Sequence, residues 1–164
     1  MTYEQLALEV YQNNIEIYEE CMSPRLKGLY SDNIIWINEL IPTDIEKTCV
    51  LAEEFGHHHT TSGDILDQCS VVNRKQEFRA RTWAYEKLVP LSKILQAQKL
   101  HLSNSYELAD FLNVTEDFLD AALDWYKSKY GSFVLIDNFT LYFEPLGVLE
   151  IFDWFETSFL QYGS

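Results

Sequence analysis

The chain has 164 residues, of which 47% are hydrophobic and 15% aromatic, and it carries a formal net charge of −14. A chain of this length and apolar content can bury a core within one compact domain, which excludes a disordered protein. The negative charge repels phosphates and anionic lipids, so we expect no direct binding to nucleic acid or to a membrane.

Three features predict a cytoplasmic protein. The first ten residues, MTYEQLALEV, lack the basic start and the apolar stretch of a signal peptide. No apolar run approaches the roughly 18 residues that a membrane helix needs. Cys21, Cys49 and Cys69 are odd in number and lack C-x-x-C spacing, which is typical of reduced thiols.

The first predicted element is a helix from Thr2 to about Cys21. Thr2 and Gln5 form a capping box, in which each side chain satisfies a backbone amide of the first turn. The stretch LKGLYSDNIIWINEL then predicts a β-hairpin, because two aromatic and β-branched runs flank the turn residues Ser31-Asp32-Asn33.

A second helix is predicted to begin after Pro42 and to run to about His59. Pro42 ends the preceding strand, and Thr43 with Glu46 forms another capping box. The helix carries the stretch CVLAEEFGHHH, and TTSGD is predicted to end it.

The chain then becomes mainly helical. Asn73 is predicted to open a helix that stops at Pro90, and residues 91–102 continue as a further helix. Two more helices are predicted to join around residues 113–115, the second ending at Gly131 in a C-cap position.

The last predicted elements are a hairpin and a docked segment. SFVLIDNFTLYFEPL predicts a second β-hairpin that turns at Asp137-Asn138. For the apolar and aromatic residues 147–164, a docked helix is favoured over a free tail. The elements together indicate an α+β class in which helix predominates.

The motif helix offers side chains that can hold a metal. Glu53 and His57 lie four residues apart and therefore share one helical face, while Glu54 lies on the adjacent flank. A catalytic zinc needs three protein ligands, so a third must come from elsewhere. Alone, the E-E-x-x-H spacing is weak, because glutamate pairs are common in amphipathic helices.

Glu77 is the candidate third ligand on the next helix. Ala80 and Ala84 follow it on the same stripe, and small side chains allow two helices to approach closely enough to share an ion. His58 and His59 are more typical of solvated or capping residues at a helix end, where a cation suits the helix dipole.

Two motifs resemble those of the ImmA/IrrE family of metallopeptidases. CVLAEEFGHH resembles the family pattern FTLAHELGHH, and EFRARTWAYEKLVP resembles ExxANRFAAELLMP. GLYSDNIIWINELI is similar to the strand pair that precedes the family's motif helix. The resemblance extends over roughly residues 26–91, and members from phages and integrative elements are closest in length and texture.

The resemblance implies a mainly helical, zincin-like metallopeptidase domain with a small sheet. It implies His57 and Glu77 as metal ligands and Glu54 as the general base. Glu53 stands where the family has its first histidine, and we expect it as the remaining ligand, although Glu53 and Glu54 could exchange roles or His58 could substitute. The implied metal is Zn²⁺, and a carboxylate in place of an imidazole makes Mn²⁺ or Fe²⁺ possible.

We expect residues 1–102 to form the metallopeptidase domain. Residues 103–164, a helical hairpin followed by a β-hairpin, are expected to pack on it, unless residues 1–164 form a single domain. The helical hairpin YELADFLNVTEDFLDAALDWY has the apolar pattern of a helix-turn-helix motif, but it contains six carboxylates and no Lys or Arg. Phosphates would repel it, so a role in packing or docking is predicted.

The resemblance therefore implies a metal-dependent endopeptidase that cleaves or inactivates a helix-turn-helix repressor of a mobile element. The edge of the first hairpin, with NIIWIN exposed, is expected to pair with an extended substrate. The alternative is a catalytically inactive binding module of the same fold that sequesters a repressor or another regulator. The sequence leaves the oligomeric state open.

Overall fold

The computed structural model describes residues 1–60, 70–102 and 104–151, and only the backbone of residues 70–73. These residues form six helices and two three-stranded sheets, which confirms the predicted α+β, zincin-like class. The elements in chain order are α1 (Tyr3–Gln12), β1 (Glu16–Glu20), β2 (Gly28–Ser31), β3 (Ile34–Asn38), α2 (Asp44–Thr60), α3 (Ser70–Leu88), α4 (Leu91–Lys99), α5 (Ser105–Leu112), α6 (Glu116–Tyr130), β4 (Phe133–Ile136), β5 (Phe139–Phe143) and β6 (Leu146–Glu150).

Helix α1 is shorter than predicted. Its capping box forms, with the Thr2 and Gln5 side chains each accepting from the other residue's backbone amide. The helix ends at Gln12, and the prediction that it continues to Cys21 is wrong. Asn14 adopts a left-handed φ of 58°, a conformation that asparagine tolerates, and the chain then enters β1.

The first sheet has the strand order β1-β3-β2. The predicted hairpin of β2 and β3 is confirmed, and its turn residues Asp32 and Asn33 both have positive φ. Strand β3 is central, because β1 pairs with it in parallel on the other side. The prediction that NIIWIN forms an exposed edge is therefore wrong, and β2 is the edge strand of the hairpin.

Helices α2 and α3 carry the motif residues. The Thr43 hydroxyl accepts the Glu46 backbone amide at 3.2 Å, as expected from the cap. Helix α3 begins at Ser70, three residues earlier than the predicted start at Asn73, and ends at Leu88 before Pro90. Helix α2 is described to Thr60, and the rest of the predicted stop, residues 61–64, lies outside the described residues.

The helical hairpin of α5 and α6 is confirmed. Asn113 takes a left-handed conformation at the end of α5, and the Thr115 hydroxyl accepts the Phe118 amide at the start of α6. The Tyr126 hydroxyl donates to the Val89 carbonyl oxygen at 2.9 Å. This bond ties the hairpin to the residue that follows α3, and the role of the hairpin stays a prediction.

The second sheet has the order β4-β5-β6, all antiparallel. The predicted hairpin of β4 and β5 is confirmed. The preference for a docked helix over residues 147–164 is wrong for residues 147–150, because they belong to β6 and pair with β5. Residues 152–164 lie outside the described part.

A single apolar cluster connects the described elements. Buried members come from α1, α2, α3, α6 and β5, as shown by Leu6, Phe55, Leu88, Leu119 and Leu141. The division at residue 102 stays a prediction. Among the described residues, no helix combines the length and the apolar character that crossing a membrane requires.

Candidate metal centre

His57 on α2 and Glu77 on α3 face each other. The Nε2 atom of His57 lies 3.3 Å from Oε2 of Glu77, and their side chains are 25% and 46% exposed. Two ligands of one tetrahedral ion, each about 2.0–2.2 Å from it, lie roughly 3.3 Å apart. The structure therefore brings these two predicted ligands together at a separation that suits a shared ion.

The close approach of α2 and α3 depends on small residues. A Cβ atom on Gly56 would lie only 2.4 Å from the backbone oxygen of Ala80, so no other residue fits there without moving a helix. Ala80 and Ala84 are fully buried. The prediction that this small stripe lets the two helices approach is confirmed.

Glu54 lies under strand β2 in the same cleft as His57 and Glu77. The cleft has a volume of about 600 Å³, and residues 28–33 form one of its walls. A Cβ atom on Gly28 would lie 2.8 Å from Cγ of Glu54, so glycine makes room for this side chain.

The environment of Glu54 suits a group that accepts a proton near neutral pH. Burial, together with the smaller effects of the charges of Glu53 and Glu77, raises its pKa to about 7. A hydrogen bond from the backbone of Tyr30 offsets this only in part. A carboxyl with such a pKa can both take up and release a proton at neutral pH.

Tyr30 and His58 form a contact that the sequence reading missed. The Tyr30 hydroxyl lies 2.8 Å from Nδ1 of His58, and the two rings meet edge to face. His58 is therefore engaged with the edge strand, and the expectation of a solvated or capping side chain is wrong for it. A tyrosine on the strand before the motif was the available signal.

His59 also packs instead of only capping the helix. Its ring stacks on Trp83 with centroids 4.6 Å apart, and it contacts Phe55 at 4.4 Å. Burial and the charge of His58 lower the pKa of His59, which disfavours a cation at this position. The side chain is nonetheless exposed, as expected of a solvated residue at a helix end, and a role for its charge there stays a prediction.

Glu53 lines a different cleft from the other three predicted site residues. This second cleft, of about 460 Å³, includes Glu53, Lys27, Cys49 and Arg81. Burial raises the pKa of Glu53, while the charge of Arg81 lowers it.

Within residues 1–60, 70–102 and 104–151, no group of three His, Cys, Asp or Glu side chains is arranged to hold a metal. The described residues thus do not fit the three-ligand set of Glu53, His57 and Glu77. They bring together His57 and Glu77, with Glu54 beside them. The assignment of Glu53 as a ligand, and of Glu54 as general base, stays a prediction.

Comparison with known proteins gives one match. The family model Peptidase_M78, described as an IrrE N-terminal-like domain, matches residues 12–124, which is more than half of the chain. Neither the curated proteins nor the solved structures gave a significant match. The matched region contains both motif helices, α5 and the first part of α6, to residue 124.

Proposed function

The chain belongs to the Peptidase_M78 family, and from this we propose that it is a metallopeptidase-like protein that captures an extended segment of a helix-turn-helix repressor. The family supports the metallopeptidase-like domain and implies a metal cofactor. The repressor as target follows from the resemblance to mobile-element members. Capture in the cleft beside β2 would inactivate the repressor whether or not it is cut.

The position of β2 carries the capture proposal. Strand β2 pairs with β3 on one side, and its other side faces the cleft that holds Glu54, His57 and Glu77. An extended peptide can add to such an edge through backbone hydrogen bonds, while its side chains enter adjacent pockets. The cleft thus offers a backbone template directly above the motif residues.

The negative net charge of the chain supports a partner that has a basic surface. Its net charge of −14 favours association with a positively charged surface and disfavours nucleic acid. A repressor presents basic residues to DNA, so an acidic protein and a phosphate backbone would compete for related surfaces. Capture of a repressor therefore agrees with the electrostatics.

Hydrolysis by a metal-dependent endopeptidase is the second candidate function. One observation favours it: Glu54, with a pKa of about 7, lies in the same cleft as the His57–Glu77 pair. The separate position of Glu53 argues against it, because the described residues do not assemble the expected ligand set. We therefore place capture first and cleavage second.

One experiment separates the two candidates. The protein, purified without chelator, is mixed with the repressor encoded next to its gene in the presence of EDTA, Zn²⁺ or Mn²⁺. Calorimetry measures binding, and intact-mass spectrometry detects fragments. A complex with an intact repressor in EDTA supports capture, fragments that form only with metal support the endopeptidase, and neither binding nor fragments overturns both.

A further inference from the structure

The guanidinium of Arg81 lies at the predicted metal centre. Arg81 follows Glu77 by one turn of α3, and its Nε atom lies 2.8 Å from Oε1 of Glu77. The other carboxylate oxygen of Glu77, Oε2, faces His57 at 3.3 Å. Both oxygens of the predicted third ligand are therefore already engaged by protein groups.

Arg81 also faces Glu53. The two residues line the same cleft, and among the charges that act on Glu53 the positive charge of Arg81 has the largest effect. The charges of Glu53 and Glu77 act in turn on Arg81. Arg81 thus pairs directly with a carboxylate of α3, and its charge acts on a carboxylate of α2 at longer range.

The other nearby cation is occupied elsewhere. Lys27 lines the same cleft as Glu53, but its Nζ atom pairs with Glu46 at 2.8 Å. Lys27 is thus paired with Glu46 within the cleft, and Arg81 is paired with Glu77.

We propose that the Arg81 guanidinium supplies to Glu77 the positive charge that a divalent ion would supply, so that the centre formed by His57 and Glu77 holds no resident metal. A guanidinium stays protonated at any physiological pH, and its planar fork matches carboxylate geometry. A divalent ion entering the site would have to displace it from Glu77 and then remain beside a like charge. Glu53 adds a second negative charge near Arg81, which a histidine at this position would not supply.

The ion pair of Arg81 and Glu77 contributes little to the stability of the fold. Both side chains are about half exposed, at 52% and 46%, and exposed ion pairs contribute little to folding. What the arginine changes is the charge balance of three neighbouring carboxylates, Glu53, Glu54 and Glu77.

The test compares metal binding by matched variants of the full chain. Arg81→Met removes the cation and keeps the aliphatic stem, and Arg79→Met makes the same charge change at an exposed position of α3. A third variant combines Arg81→Met with Glu53→His. Each protein is loaded with Zn²⁺ and dialysed, its metal content is measured by plasma mass spectrometry, and its unfolding midpoint is recorded with and without Zn²⁺.

The wild type and Arg79→Met are expected to retain no stoichiometric zinc and to show no zinc-dependent midpoint. Arg81→Met, and more strongly the double variant, should retain zinc and unfold at a higher temperature when zinc is added. Retention of one zinc per chain by the wild type overturns the proposal. It is also overturned if Arg81→Met and the double variant bind no more zinc than Arg79→Met does. If the Arg81 variants do not fold, the wild-type metal content alone decides. Repressor binding in EDTA is measured separately, so capture can fail while this proposal stands, and the reverse.

Discussion

Nε2 of His57 lies 3.3 Å from Oε2 of Glu77, although the two residues belong to different helices. The contact depends on Gly56, whose missing side chain lets α2 approach the backbone of Ala80. The close packing of α2 against α3 and the pairing of His57 with Glu77 therefore both depend on the glycine at position 56. Changes in the small residues between α2 and α3 should disturb the candidate centre before they disturb the distant second sheet.

The first prediction concerns the stability cost of Glu54. Burial raises its pKa to about 7, above the value of an unfolded glutamate, so the folded protein binds the proton more tightly. Below the pKa of the unfolded state, Glu54 is protonated in both states and costs no stability. The free energy of unfolding falls as the pH rises through 7, because the buried carboxyl must then ionise. Glu54→Gln should therefore stabilise the protein more at pH 8 than at pH 5, by on the order of 2 kcal/mol.

This prediction is measured by urea unfolding in EDTA, so that no metal contributes to the pH dependence. Glu39→Gln, an exposed carboxylate outside the cleft, is the control and should give nearly equal effects at both pH values. A Glu54→Gln effect that does not change between pH 5 and pH 8 would show that Glu54 ionises normally.

The second prediction concerns thiol reactivity. Cys49 is 6% exposed, and burial raises its pKa to about 11, whereas Cys21 is exposed. Because the thiolate is the nucleophile, the reactive fraction of Cys49 at pH 8 should be roughly a hundredfold below that of an ordinary thiol. Iodoacetamide should label Cys21 first, as read by peptide mass spectrometry, and guanidinium should abolish the difference. Equal labelling of the two in the folded protein contradicts the prediction.

Local signals predicted the elements that position the centre. The Thr43 cap sets the start of α2, and Pro90 ends the run of α3. With both helices in place, spacing alone brings His57 and Glu77 to facing positions. The helical capping pattern is short-range, and for this reason a single sequence can reveal it.

Other features depend on tertiary contacts that no local pattern encodes. The residues of strand β1 were predicted to be the end of a helix. The exposed residues Glu16, Glu19 and Glu20 are compatible with a helix or a strand, and only the pairing with β3 makes this segment a strand. Glu53 shares its separate cleft with Arg81, and this arrangement arises only when α2 and α3 are packed. The contact of Tyr30 with His58 likewise joins two distant elements.

The third prediction tests why residue 28 is glycine. A methyl group there would lie 2.7 Å from Cγ1 of Val50 and 2.8 Å from Cγ of Glu54. Gly28→Ala should therefore push β2 away from α2 and lower the free energy of unfolding by about 1–3 kcal/mol. Gly147→Ala, where the nearest atom lies at 3.9 Å, is the control and should change stability much less.

The coupling between residue 28 and Glu54 can be measured directly. In a Glu54→Ala background the clash with Cγ is gone and only the contact with Val50 remains, so Gly28→Ala should cost less than in the wild type. Equal costs in the two backgrounds would mean that Gly28 does not make room for Glu54.

The last prediction concerns capture at β2. Leu29 is 46% exposed and lines the cleft, so an extended partner segment that adds to this edge must pass beside it. Leu29→Asp removes apolar contact and places a charge where the partner would exclude water, which should weaken repressor binding about tenfold, or roughly 1.4 kcal/mol. Leu40→Asp makes the same chemical change at a 56% exposed position that does not line the cleft. Both variants lower the net charge equally, so any loss through general electrostatics affects them alike.

Calorimetry with the repressor in EDTA gives the two affinities, and circular dichroism verifies that both variants are folded. A selective loss in Leu29→Asp locates the partner along β2, whereas equal losses would place the docking surface elsewhere on the acidic protein.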